Sequence, residues 1–147
     1  MTPAATLAFD DLAVGQAASF EARVTHEDLD RFIALSGDAS PLHADASFAK
    51  ARGFGGRVVH GACIGALVSR LVGMHLPGRD ALVQAMNLEF RSPLLVDEAV
   101  RVAGVVDQVS EAVRSAVLRV TVTAAADGRT VATGKVRLGF TGEKHPR

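Results

Sequence analysis

Two hydrophobic periods divide the chain, one helical in the first half and one of period two in the second. Residues 17–24 read as a short opening strand. Thr25 then has the character of an N-cap, with Asp28 at the third helical position, and Leu29, Phe32, Ile33 and Leu35 follow at helical spacing until Gly37 supplies a stop. Asp45 can cap a second short helix that runs to Lys50 and closes at Gly53. Residues 61–76 are apolar around most of a helical circumference, through Ala62, Ile64, Leu67, Val68, Leu71, Val72 and Met74. That pattern predicts a buried helix roughly 24 Å long.

Beyond the Pro77-Gly78 turn the period becomes two. Leu82, Met86, Leu88 and Phe90 alternate with Val83, Asn87 and Glu89. Further strands are expected over residues 100–109, 116–122 and 132–140, with Asp127-Gly128 as the hairpin turn before the last. Apolar positions on one side only mark an antiparallel sheet with one buried face. The expected fold is α+β, a single domain over residues 1–147 in which the sheet wraps the long helix.

Composition narrows the function classes. Lys plus Arg equals Asp plus Glu at 16 each, and no basic stripe marks a nucleic-acid binder. The stretch at 61–76 is shorter than the roughly 20 apolar residues of a membrane span, and it contains Arg70. Cys63 is the single cysteine, so no intramolecular disulfide can form, and the N-terminal residues lack a basic start and an apolar run. A cytoplasmic protein is expected. The glycine-rich Gly53-Phe54-Gly55-Gly56-Arg57 follows a helix rather than a strand, so it reads as a turn and not a dinucleotide fingerprint. His26, His75 and His145 show no metal-ligand spacing, and no metal is expected.

The candidate chemistry lies in Gly37-Asp38-Ala39-Ser40-Pro41-Leu42-His43. Pro41 fixes its own φ and drives Ser40 toward extended geometry, so a constrained loop can turn a carboxylate and an imidazole toward one point. Histidine is poised near neutral pH, and a carboxylate beside it can orient it or share its proton work. On spacing alone the pair reads as two ordinary loop residues.

The same stretch resembles the signature of the MaoC-like, (R)-specific enoyl-CoA hydratase family: a Gly-Asp pair, any residue, Asn, Pro, an aliphatic and His. The similarity extends to Asp11-Leu12-Ala13-Val14-Gly15-Gln16, Val58-Val59-His60-Gly61, Leu76-Pro77-Gly78 and Asn87-Leu88-Glu89-Phe90-Arg91-Ser92-Pro93. One position departs, Ser40 standing where the family usually has Asn, and its local hydrogen bonding should preserve the loop. The resemblance implies a homodimeric hotdog fold that needs no cofactor and acts on acyl-CoA or acyl-carrier-protein thioesters. Asp38 and His43 would hold the catalytic water, the Gly61 N–H would face the thioester oxygen, and Ser69 matches a polar position of the family's site. His60 is expected to hold the turn that presents Gly61. Arg79, Arg91 and Lys135 are candidates for the CoA phosphates, and Arg70 for a carboxylate or a ligand phosphate. A thioesterase of this fold would want a carboxylate on the long helix, which has none over residues 61–76. A non-catalytic acyl-binding module is the remaining alternative.

Overall fold

The computed structural model describes residues 2–142. Its elements, in order, are β1 (Ala17–Arg23), α1 (His26–Ser36), α2 (Pro41–Ala44), α3 (Ala46–Ala51), α4 (Gly61–Arg70), β2 (Ala81–Phe90), β3 (Ala99–Ser110), β4 (Ser115–Ala124) and β5 (Thr130–Phe140). The five strands form one sheet, fully antiparallel, in the order β1-β3-β4-β5-β2.

Local signals set the ends of α1. The Thr25 hydroxyl accepts from the Asp28 N–H at 3.1 Å, and the Asp28 carboxylate accepts from the Thr25 N–H, also at 3.1 Å. The bonds from Thr25 hold the Asp28 carboxyl below its ordinary range. This contribution is therefore complete at neutral pH and is lost as the pH falls through the lowered value. Gly37 ends the helix in the left-handed region, φ 76°, with its N–H on the Ile33 carbonyl at 2.8 Å. Asp45 caps α3 by accepting from the Ser47 and Phe48 amides. Pro41, which lacks an N–H, opens a single helical turn, α2, so part of the expected loop is helical.

The long helix departs from expectation in two ways. It is α-helical for 10 residues and then widens into a π-type turn, Leu71–His75, in which the Leu76 N–H reaches the Leu71 carbonyl at 2.9 Å. It is also not buried all round. Cys63, Ile64, Val68, Leu71 and Val72 face the sheet, whereas Ala62, Ala66, Ser69 and Arg70 are exposed in the single chain. The small size of Ala62 and Ala66 makes that face look apolar in sequence without giving it anything to pack on.

The buried face meets Val100, Val102 and Val106 of β3, Leu118, Val120 and Val122 of β4, and Val136 and Leu138 of β5. Burying each such side chain contributes about 1.5–3 kcal/mol. The register shifts at three places, one of them between Val122 and Thr123 of β4 against β5. The β2–β5 register shifts at Gln84, so Val83 sits opposite buried Leu138 and Leu82 turns outward, 49% exposed. The third shift, at Asp107, separates Val106 from Gln108 against β4.

Two glycines allow the sheet to close on its neighbours. A Cβ at Gly104 would lie 2.7 Å from Leu71 Cδ2, and one at Gly134 would lie 2.0 Å from the Asn87 carbonyl oxygen. Among the described residues, no helix is long and apolar enough to cross a membrane.

Gly134→Ala is expected to destabilise by about 3 kcal/mol or more, because the clash is with backbone, and Gly104→Ala by about 1–3 kcal/mol, because the Leu71 side chain can shift. Gly73→Ala, with no atom near its new Cβ, should be neutral or stabilising by up to about 1 kcal/mol. Urea unfolding of the three variants checks the order.

Candidate active site

The segment between α3 and α4 is stitched on both sides. The Val58 N–H bonds the Leu42 carbonyl at 3.2 Å, the Val59 N–H bonds the Leu94 carbonyl at 2.8 Å, and the Arg57 carbonyl accepts from Val96 N–H at 2.9 Å. It lies against the loop and turn that carry Asp38 and His43. His43 Nδ1 is 2.7 Å from the Val58 carbonyl oxygen. A carbonyl only accepts, so Nδ1 carries the hydrogen and the lone pair of the neutral ring lies on Nε2. Buried Arg57 donates through Nε to the His43 carbonyl at 2.7 Å and through its other arm to Asp30 of α1 at 2.6 Å.

Asp38 is the exposed member, its side chain 53% open. Its Oδ1 accepts from the Ser40 N–H at 3.1 Å, and its own N–H bonds the Ser36 hydroxyl at 3.1 Å. The loop bond at position 40 thus comes from the backbone. The Ser40 hydroxyl caps nothing, so serine in place of asparagine leaves this contact intact. One ligating atom each from Asp38, His43 and His60 lies within 4.8 Å of the others. A single water with two hydrogen bonds of about 2.8 Å spans such a gap.

The same three residues are the one candidate metal cluster among those described. Their geometry suits protons better. His43 Nδ1 and His60 Nε2 both face backbone carbonyls, and the two rings stack at 3.7 Å and 23°. The second His60 nitrogen, Nδ1, is buried, so His43 Nε2 and the Asp38 carboxylate are what remain open, fewer than the three or four protein ligands of a zinc site.

His43 and Gly61 line a common pocket of about 350 Å³ with Ile64, Phe90 and Leu94. Gly61 is the first residue of α4, where the N–H has no intrahelical acceptor and the helix dipole is positive. A Cβ there would lie 2.9 Å from the Phe90 ring, so glycine lets the aromatic wall approach the helix end. A second depression, about 370 Å³ on the outer face of β1, β3 and β4, is walled by small residues with Arg101 and Arg119, and contains no imidazole.

Of the other expected residues, Arg91 also lines the pocket of His43 and Gly61, and the rest lie elsewhere. Ser69 is on the open face of α4, outside the pocket that His43 and Gly61 share. Arg70 lies over the Phe20 ring at 4.3 Å instead of meeting a carboxylate. Arg79 pairs with Asp80, Arg91 with Glu89, and Lys135 with Asp107. His26 pairs with Asp97, His75 stacks on Phe20, and His145 lies outside the described residues. The hold of Arg57 on His43 is absent from the sequence reading. Its only trace there is a lone arginine after a glycine turn.

Comparison with known proteins places this geometry in a lineage. Residues 11–130 match the MaoC like domain. The chain belongs to that family. An (R)-specific enoyl-CoA hydratase of Aeromonas caviae is 37% identical over 89 residues, 60% of this chain and 66% of that protein. A 3-hydroxybutyryl-CoA dehydratase of Methylorubrum extorquens is 33% identical over 96 residues, 65% of this chain and 61% of that protein. The chain thus spans just under two thirds of the length of these curated relatives. The solved (R)-hydratase of A. caviae involved in PHA biosynthesis has a TM-score of 0.83 at 31% identity, covering 88% of this chain and 97% of that one. An unliganded R-hydratase of Pseudomonas aeruginosa gives 0.85 at 29%, covering 92% and 86%. The MaoC-like chain has their hotdog fold, a sheet curled around a central helix.

Cys63 lies on the buried face of α4, where burial and then the Asp28 carboxylate push its thiol above the ordinary range. The native protein should therefore react with a thiol reagent at pH 8 at least several-fold more slowly than the urea-unfolded chain. Equal rates would contradict this packing.

Proposed function

We propose that the protein is an (R)-specific hydratase/dehydratase interconverting trans-2-enoyl and (R)-3-hydroxyacyl thioesters, carried on CoA or acyl-carrier protein. The observation that carries this reading is the convergence of Asp38 and His43 beside a helix N-terminus, with His43 and Gly61 lining one pocket. The (R) sense and the thioester class follow relatives named as (R)-specific enoyl-CoA hydratase and 3-hydroxybutyryl-CoA dehydratase.

The chemistry follows from the parts. Water held by Asp38 and His43 attacks C3 of the enoyl thioester, and the C2–C3 π pair moves toward the thioester oxygen. The Gly61 N–H and the helix dipole stabilise the enolate-like charge. His43 Nε2 takes a proton from the attacking water and Asp38 relays a proton on to C2, so the water is divided between C3 and C2 and both side chains end as they began. Both side chains face the same gap, so the two roles are interchangeable on this geometry. Only protons and the atoms of water move, so the reaction calls for no cofactor.

The active form is a homodimer in this reading. β2 is an edge strand with Leu82, Val83 and Phe90 at 49%, 38% and 52% exposure, and an unpaired apolar edge is a template for a second chain. The exposed Ala62, Ala66 and Ser69 give α4 a small-residue face that a partner can cover, which would bring Ser69 into an enclosed site. A chain with one cysteine has no internal disulfide to form, which suits a reducing cytoplasm.

Mixing the protein with crotonyl-CoA should lower the enoyl absorbance to an equilibrium value without release of free thiol. Asp38→Ala and His43→Ala should each lower kcat by at least about 100-fold with the fold intact. An inactive wild type across short and medium chains on both carriers favours a binding module, and thiol release favours a thioesterase. Sedimentation should give twice the 15.3 kDa chain mass. A monomer at micromolar concentration contradicts the dimer.

A further inference from the structure

We infer that His60 is a positioning residue for the hydration step, one that ties the Asp38 loop to the start of α4 and fixes the plane of His43. The assignment rests on the hydratase reading and extends it to a side chain outside the reacting pair.

His60 occupies the N-cap of α4, where Ser, Thr, Asp or Asn would satisfy a free amide, yet its side chain makes no capping bond. It is 3% exposed, and its Nδ1 is buried without a hydrogen-bond partner. Leaving such a nitrogen unsatisfied costs stability. An apolar side chain of similar size would fill the space without that cost. What the imidazole adds is its other edge. Nε2 lies 2.9 Å from the Asp38 carbonyl oxygen, which only accepts, so Nε2–H is the donor.

The remaining contacts point the same way. The other hydrogen bonds of Asp38, to Ser36 at the end of α1 and to Ser40, each span two residues and fix it only relative to its chain neighbours. The His60 bond refers that loop to the helix whose first N–H belongs to Gly61. The His60 ring also lies face to face with His43 at 3.7 Å, while Phe32 of α1 packs on it at 4.9 Å. Rotation of His43 about its bond to Val58 is thus blocked by a ring that is itself held. Arg57 secures the His43 backbone and His60 the Asp38 backbone. Arg57 thus reaches His43 alone, whereas His60 touches both members of the pair. Misplacing a reacting group by about 1 Å costs on the order of 10²-fold in rate.

The test compares kcat, KM for crotonyl-CoA and thermal midpoint in His60→Leu, His60→Gln and His60→Asn. The Gln amide nitrogen extends as far as Nε2 and the Asn nitrogen falls short. His60→Leu should lose about 10- to 100-fold in kcat with KM nearly unchanged. His60→Gln should recover most of that loss, and His60→Asn should not. A leucine variant with wild-type kcat, or Gln and Asn variants of equal kcat, overturns the assignment. Should His60→Leu not fold, the Gln and Asn pair decides by itself. Active wild type with indifferent variants sinks the positioning role alone, whereas inactive wild type sinks the hydratase reading and this role together.

Discussion

A backbone carbonyl has no hydrogen to give, and the Val58 carbonyl lies 2.7 Å from His43 Nδ1. That contact decides which ring nitrogen is free to act as a base. It also refers the imidazole to a segment that pairs with Leu42 on one side and with residues 94–96 on the other. The segment then enters α4, so the proposed base and the helix amide proposed to meet charge are set by one stretch of backbone. Without this bond the ring would be free to take either tautomer and several orientations. Asp38 contributes from the opposite bank, through a loop whose local turn is closed by the Ser40 amide.

Packing explains why the helix end can sit so near the sheet. The chain uses glycine where backbone or ring must come close: Gly104 under Leu71, Gly134 against the Asn87 carbonyl, and Gly61 under the Phe90 ring. The first lets the sheet approach the end of the central helix, and the second lets β5 and β2 pack closely. The third leaves the Gly61 N–H beside an apolar pocket wall, where a hydrogen bond to developing charge is worth more than in water. Fold and site therefore share one device, close approach without a side chain.

Much of this was legible in residue order because the signals are local. The Thr25–Asp28 box, the Gly37 stop, the Asp45 cap and the period-two runs all act within a few residues, and each element appears near its expected bounds. The losses share a cause as well. A bulge at Gln84 inverts the parity of β2, and nothing in the alternation of Leu82 and Val83 reveals where the extra residue falls. The open face of α4 reads as buried because alanine counts as apolar whether or not anything covers it. The hold of Arg57 on His43, and of His60 on Asp38, are contacts between segments that touch only once the fold has formed. Asp38, His43 and Gly61 were marked by the family resemblance, since spacing alone left the pair as ordinary loop residues.

The central claim concerns where three groups meet, so a bound substrate tests it most directly. A crystal structure of the Asp38→Asn variant with an enoyl thioester should place the thioester oxygen about 3 Å from the Gly61 nitrogen, with C3 facing His43 across a single water. A thioester carbonyl directed away from the α4 N-terminus, or an acyl chain in another cavity, would contradict the account.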